Sequence, residues 1–174
     1  KLLAACPYQR LFGVRLAAPT TSIVLLAIFC QFHCESSNMA NVLVTGASGF
    51  IGGHLVRRLL DDGNRVTCLV RQSSDRSRLT RFDPEFVFGD ITDPDAMAST
   101  VASVDVVYHL AGATKSLRRK DLDRVNVDGV RYVAQACAAC TNPPTLVLVS
   151  SLAAAGPMVT HRLRTEKDPP KPVS

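Results

Sequence analysis

The sequence has no large excess of either charge. Its 174 residues carry a formal net charge of +5, of which residues 1–38 hold +2 and the remainder +3. Lys and Arg alternate with Asp and Glu throughout, so the basic face that nucleic-acid binding needs is missing. An anionic ligand is compatible with this balance but not implied by it. Long apolar runs are missing too. The stretch Ile23 to Phe32 is about ten residues, against the roughly 20 that a membrane-spanning helix needs. A second cysteine pair is also lacking. Cys137 and Cys140 stand three apart in an alanine-rich run; without a partner pair they do not make a zinc site, and no strand leads directly into them as it would in a redox motif. They read as buried free thiols. Cys30, His33 and Cys34 form a loose cluster that is not expected to hold a metal. What remains is a chain with 47% hydrophobic residues, long enough for one domain with a proper core.

Residues 1–38 differ in character from the rest of the chain. Arg10 and Arg15 ahead of the apolar stretch, with small polar residues after it, give the outline of a signal peptide. Against this, Met39 stands two residues before the first regular element. The expectation is that residues 1–38 are a leader outside the fold, that the functional protein begins at Met39, and that it is cytoplasmic.

The stretch that organises the chain is NVLVTGASGFIG, Asn41 to Gly52. Asn41 to Thr45 is a short β-branched run suited to a strand buried on both faces. Glycines follow at 46, 49 and 52, and Ile51, Leu55, Val56, Leu59 and Leu60 recur at helical spacing. Strand, glycine turn and helix in that order predict a nucleotide site. Gly46 permits the tight turn, Gly49 leaves room for a pyrophosphate, and Gly52 lets the helix pack closely on the sheet. The positive end of the helix then faces the phosphates, with Ser48, Phe50 and Ile51 in the same stretch.

Further strands are expected over 65–70, 85–88, 104–110 and 145–149, and helices over about 50–61, from Thr92 or Asp93 to about Val101, and over 122–139. Asp62-Gly63-Asn64 ends the first helix. Residues 76–81 read as a loop or short helix, and 162–174 as a charged, proline-rich loop. The architecture is α/β, a mostly parallel sheet with helices on both faces. At the end of the second strand an acidic residue would favour NAD; here Arg71 is followed by Gln72, Ser73 and Ser74, which suits a 2′-phosphate and favours NADP over NAD. Asp90 at the end of the third strand suits an adenine amino group, with Ile91 against the ring. Ala111 and Gly112 end the fourth strand with little bulk, so a cofactor can approach the backbone there. His109 reads as a satisfied, partly buried structural histidine rather than a catalytic one. Ser150 and Ser151 end the fifth strand, at the edge where open α/β sheets keep their ligands.

Together these stretches resemble the extended short-chain dehydrogenase/reductase superfamily, the NAD-dependent epimerase/dehydratase group. TGASGFIG (45–52), GDITD (89–93), HLAG (109–112), Asn126 in VNVDG, and SSLAAAG (150–156) fall in the order and spacing of that family. The resemblance covers Ala40 to about Ser174. It implies a Rossmann-type doubly wound parallel sheet with its carboxyl-terminal part missing, and a reaction that moves a hydride between nicotinamide and a carbon bearing a hydroxyl or carbonyl. It places Ser151 and Asn126 in the catalytic set, Gly46, Gly49 and Gly52 at the pyrophosphate, Asp90 and Ile91 at the adenine, and Ala111 and Gly112 along the cofactor. The family's tyrosine and lysine should come after the serine strand, yet no tyrosine occurs after Ser151. The motif is expected beyond Ser174, and the 174 residues alone are not expected to turn over substrate. The partner implied is a small molecule, with no nucleic acid and no metal, and a homodimer of the full-length protein is left open. Hydroxysteroid, dihydroflavonol-like and nucleotide-sugar substrates compete; VSSLAAAGP and Arg71 lean towards the first two. A non-catalytic NAD(P) sensor with the same fold is the alternative.

Overall fold

Residues 39–116, 118–157, 165 and 167–172 are described by a computed structural model. The expected leader, residues 1–38 with its Cys30, His33 and Cys34, lies outside them.

Strand β1 is Asn41–Thr45. Val42, Leu43, Val44 and Thr45 are all buried, the outcome for a β-branched run covered on both faces. Helix α1, Phe50–Asp61, comes next. It closes on Gly63 at φ +83. The Gly63 N–H donates to the Leu60 carbonyl (2.9 Å) and the Asn64 N–H to that of Leu59 (3.0 Å). The Asn64 side-chain amide donates to the same Leu59 oxygen. The left-handed closure thus satisfies carbonyls that the helix end would orphan. Strand β2 is Arg65–Val70, β3 Glu85–Phe88, α2 Pro94–Val101, β4 Val106–His109 and β5 Thr145–Leu148. Asp93, not Thr92, caps α2, accepting from the N–H groups of Asp95 and Ala96.

All pairings are parallel, in the order β3-β2-β1-β4-β5. Alternation along β1 sends Val42 and Val44 to one face, where Val56 and Leu59 of α1 pack with Val66, Cys68 and Val70. Leu43 goes to the other, with Met97 and Val101 of α2, Val107, and Val133 and Cys137. The sheet is doubly wound, as the sequence implies. Register aligns Thr45 with His109, and His109 with Leu148. Thr45 also aligns with Leu69, and Val70 with Phe88. The residues that leave the strands therefore emerge along one edge. No helix among the described residues is long and apolar enough to cross a membrane.

Two expectations need correction. The strand expected over 104–110 is shorter, Val106–His109; just before it the Asp105 carboxylate accepts the Asn41 N–H at 2.8 Å. The helix expected over 122–139 starts earlier and is interrupted. Arg119–Asp123 is a short helix, α3; Arg124–Gly129 is a π-helical segment; Val130–Ala139 is α4. Gly129 explains part of the interruption, since a Cβ there would lie 2.7 Å from Ile91 Cδ1. Residues 76–81 are a loop that runs into a 3₁₀ turn at Thr80–Phe82, in keeping with the loop or short helix expected there. Cys68 and Cys137 are buried free thiols, and Cys140 is half-buried. Desolvation pushes the Cys68 thiol up to about 12 and raises that of Cys137, so both stay protonated and unreactive.

A Cβ at Gly63 meets nothing within 4 Å, so any cost of replacing it is conformational. Gly63→Ala should destabilise the fold by roughly 1–2 kcal/mol through the left-handed backbone alone. Gly63→Asn should cost less. Urea melts of the three forms check the order.

Candidate cofactor site

The site begins where β1 leaves the sheet. Gly46 takes φ +72, and a Cβ there would lie 2.6–2.8 Å from the backbone of Leu110 and Ala111. The turn out of β1 therefore touches the backbone that leaves β4, with no side chain between. Gly52 makes the second close approach: a Cβ would run into the Gly46 carbonyl oxygen and sit 2.8 Å from Ala47 Cα. Gly52 thus packs α1 onto the glycine turn rather than onto the strands. At Gly49 a Cβ would meet only the Gly46 oxygen, at 3.2 Å, so the space in front of it is open.

Helix α1 starts at this turn without a side-chain cap and without an acidic residue in its first turn. Its amino end therefore keeps N–H groups and a partial positive charge for an anion. The missing side chains and the uncapped helix fit a pyrophosphate lying across Gly46–Gly49.

A cavity of about 470 Å³ opens at this edge. Of the residues expected to hold a cofactor, Gly46, Ser48, Gly49, Arg71, Asp90, Ile91, Ala111 and Gly112 line it. Phe50, Ile51 and Gly52 do not. The Phe50 and Ile51 side chains are 73% and 61% exposed, and Gly52 is buried beneath the turn. What they offer a cofactor is their backbone, in the first turn of α1. Arg71 is presented by a closed turn: its N–H donates to Ser74 Oγ (3.1 Å) and its carbonyl accepts from the Ser74 N–H (3.0 Å). Asp75 is used locally, accepting the Ser77 N–H; that hydrogen bond, first among the causes, holds its carboxyl below the usual range. Asp90 Oδ1 accepts from the Thr92 N–H and hydroxyl, both at 2.9 Å, which leaves its second oxygen for a ligand amino group. Ile91 is 7% exposed and belongs to the α2–α4 core, so it forms a fixed apolar wall.

Ser74, expected beside Arg71, borders the cavity too. Lys115 also lines it and was not expected; it adds a second cation to Arg71. The signal for Lys115 is its place in the loop directly after β4, at the ligand edge of the sheet.

Asn126 and Ser151 lie outside the cavity lining. Asn126 clamps the loop after β4: its Oδ1 accepts the Ala113 N–H (2.8 Å) and its Nδ2 donates to the Ala113 carbonyl (2.9 Å). Asn126 is carried on the π-helical segment, and its one amide satisfies both groups of Ala113. Ser151 Oγ accepts the Ala153 N–H at 3.1 Å, capping the 3₁₀ turn Leu152–Ala155. The Lys171 N–H bonds the Ala154 carbonyl and ties that turn to the later chain.

His109 is not the partly buried, satisfied side chain expected. It is 1% exposed. Its Nδ1 lies 2.8 Å from Thr45 Oγ1, and that oxygen also accepts the Ala111 N–H at 3.3 Å. Nε2 has no partner among the described residues. The pair joins the ends of β1 and β4 and holds Ala111, a cavity residue.

The NAD dependent epimerase/dehydratase family model matches residues 42–174. The chain belongs to this family. Within the extended short-chain dehydrogenase/reductase superfamily, it is 38% identical over 120 residues to the ceramide reductase of Caulobacter vibrioides, covering 69% of this chain and 37% of that one. It is 32% identical over 109 residues to the 3-beta-hydroxysteroid dehydrogenase of Mycolicibacterium neoaurum, covering 58% and 29%. In structure it resembles UDP-glucose 4-epimerase from Brucella ovis, solved in complex with NAD, at TM-score 0.67 and 28% identity, covering 77% of this chain and 42% of that one. The chain spans about a third of the length of the curated relatives it matches.

Burial lowers the pKa of His109 from its ordinary 6.5. The unfolded chain therefore binds a proton near pH 6.5 that the folded chain refuses, and stability falls as pH drops below that value. The slope is at most about 1.4 kcal/mol per pH unit. Chemical denaturation from pH 7.5 to 5.5 should show this loss, and His109→Gln should remove that part of the slope.

Proposed function

We propose that this chain is the cofactor-binding part of an NAD(P)-dependent oxidoreductase or epimerase acting at a secondary alcohol or carbonyl carbon, with the activity belonging to the protein extended to the length of its relatives. The observation that carries this reading is the side-chain-free contact of Gly46 with Leu110 and Ala111, beside an uncapped helix and a cavity lined by Arg71 and Asp90. A bound nicotinamide would supply the hydride donor or acceptor. The chain's own residues bind and orient. The Gly46–Gly49 turn and α1 take the pyrophosphate, Asp90 accepts from an adenine amino group with Ile91 as wall, and Ala111 and Gly112 let the cofactor lie against the backbone. Asn126 is a positioning residue that fixes this loop through Ala113. An apolar alcohol or ketone of the hydroxysteroid or dihydroflavonol kind is favoured over a nucleotide sugar, supported by the small residues of SSLAAAG and by the reductase and dehydrogenase relatives. The compact unit Met39–Ser174 is taken as the cofactor domain and residues 1–38 as a leader outside it; a cytoplasmic location goes with that start.

Ser151 has the role of hydrogen-bond donor to the substrate oxygen. Its cap to Ala153 uses a lone pair only, and the hydroxyl hydrogen stays free to donate. The cap thus orients the oxygen without consuming the group that chemistry needs. The sensor reading takes the same bond, and the absence of Ser151 from the cavity lining, as its whole purpose.

Arg71 is proposed to read a 2′-phosphate. Fluorescence titration of the extended protein should show tighter binding of NADPH than NADH. Arg71→Ala should narrow the gap by about tenfold, the low end for one charge-assisted hydrogen bond because Arg71 is exposed. Equal affinities in the unmutated protein discard the preference, and no binding of either discards the cofactor site.

Steady-state kinetics of Ser151→Ala separate enzyme from sensor. Loss of a donor that acts in the transition state should lower kcat by about 10²–10³ with the cofactor Kd unchanged. Ser150→Ala, one residue earlier on extended backbone, should keep most activity. Full activity in Ser151→Ala would favour the sensor.

A further inference from the structure

A second cavity, of about 370 Å³, lies against α1 and shares no lining residue with the first. One wall is a single helix face: Phe50, His54 and Arg57, spaced four and three apart. The other is the segment Ser77 to Phe82, which contributes Arg78, Arg81 and Phe82. Among the described residues every charged side chain lining this cavity is an arginine. The Arg57 Nε lies 3.5 Å from Asp61, in a pair whose side chains are 60% and 63% exposed; such a pair offsets little charge. Among the described residues Arg78 and Arg81 form no salt bridge, though the Asp75 carboxylate is near enough to Arg78 to feel its charge. The Arg81 guanidinium lies over the Phe82 ring, 4.6 Å from its centroid, which fixes its plane while leaving its N–H edge free. The Phe50 ring stands edge-on to His54 at 5.0 Å.

Three guanidinium groups beside two phenyl rings match a ligand that is anionic at one end and planar at the other. Arginine forks fit phosphate oxygens in pairs, and the volume falls in the range of small-molecule sites, roughly 300–1,000 Å³. We propose that this groove binds an aromatic or nucleotide-like phosphate monoester as a second ligand, with its phosphate on Arg78 and Arg81 and its ring against Phe50 and Phe82. The groove borders the cofactor cavity closely. Gly49 lines one and Phe50 the other, and Ser74 lines one and Ser77 the other. A ligand here would sit beside the arginine end of the cofactor site without entering it.

The probe is phenyl phosphate, titrated calorimetrically at low salt into the full-length protein saturated with NAD. Saturable one-to-one binding is expected, at least tenfold weaker in the Arg78→Ala/Arg81→Ala double variant and unchanged in Arg131→Ala, an exposed arginine on α4. Phenol at the same concentration should not bind. No saturable binding, equal binding in the double variant, or displacement of NAD by phenyl phosphate would overturn the proposal. So would a double variant whose affinity for NADP falls while that for NAD holds, since the arginines would then belong to the cofactor. A protein that does not take up NAD counts against the cofactor reading alone, and the phenyl phosphate titration is then carried out without it.

Discussion

The structure depends on two backbones touching where β1 and β4 leave the sheet. With any side chain at Gly46 the turn would push into Leu110 and Ala111, and with one at Gly52 the helix would push into the turn. These are contacts against backbone, which cannot rotate away as a side chain can. The strand order puts β1 and β4 side by side with their connections running to opposite sides, so a crevice opens at that point. The glycines narrow its floor to bare backbone. Thr45, His109 and Ala111 then stitch the two strand ends together from below, and Asn126 holds the continuation of β4 from the side.

The electrostatics of this edge arise from the same geometry. An uncapped helix end and Arg71 and Lys115 meet in one cavity, whose single carboxylate, Asp90, is half spent on Thr92. The next groove along carries three arginines. A chain with a formal charge of only +5 thus concentrates positive potential at the carboxyl edge of its sheet, where low-dielectric walls focus it. The balance of charge along the sequence hides this, because several acidic residues are spent elsewhere: on a helix cap at Asp93, on helix pairs at Asp62 and Asp128, and on the start of β1 at Asp105.

Interruption of the helix before β5 shows how a positioning device is built. The segment Arg124–Gly129 is π-helical, and Gly129 lets it settle against Ile91. Asn126, a poor helix former, is placed where its amide replaces a missing pair of backbone partners. Ser151 obeys the same logic with one bond, an Oγ oriented by the Ala153 N–H.

Much of this was legible in the sequence because it is local. Apolar, β-branched runs separated by glycine, Asp-Gly-Asn and Asn-Pro-Pro breaks mark five strands within two residues of their places. Burial on both faces demands that composition in β1 and most of β2, while the edge strands β3 and β5, half-buried at most, are marked by the breaks around them. Glycine spacing after β1 marks the turn, since only glycine takes φ +72 there without strain. Arg71, Asp90, Ala111 and Gly112 could be placed at the site because each lies just past the end of a strand, and parallel strands all end on one edge. What needed the tertiary structure is non-local. Lys115 joins the cavity only through a loop path that no periodicity encodes. His109 is sealed and half-satisfied because of Thr45, 64 residues away. The π segment answers to Ala113 and Ile91, which local helix propensity cannot see. The arginine groove exists only because α1 and residues 77–82 face each other across a gap. The sequence by itself therefore determined the layers, the edge and the residue types at that edge, through burial and backbone conformation. The tertiary structure decided which side chains meet and which polar atoms find partners, because those depend on distances between segments far apart in the chain.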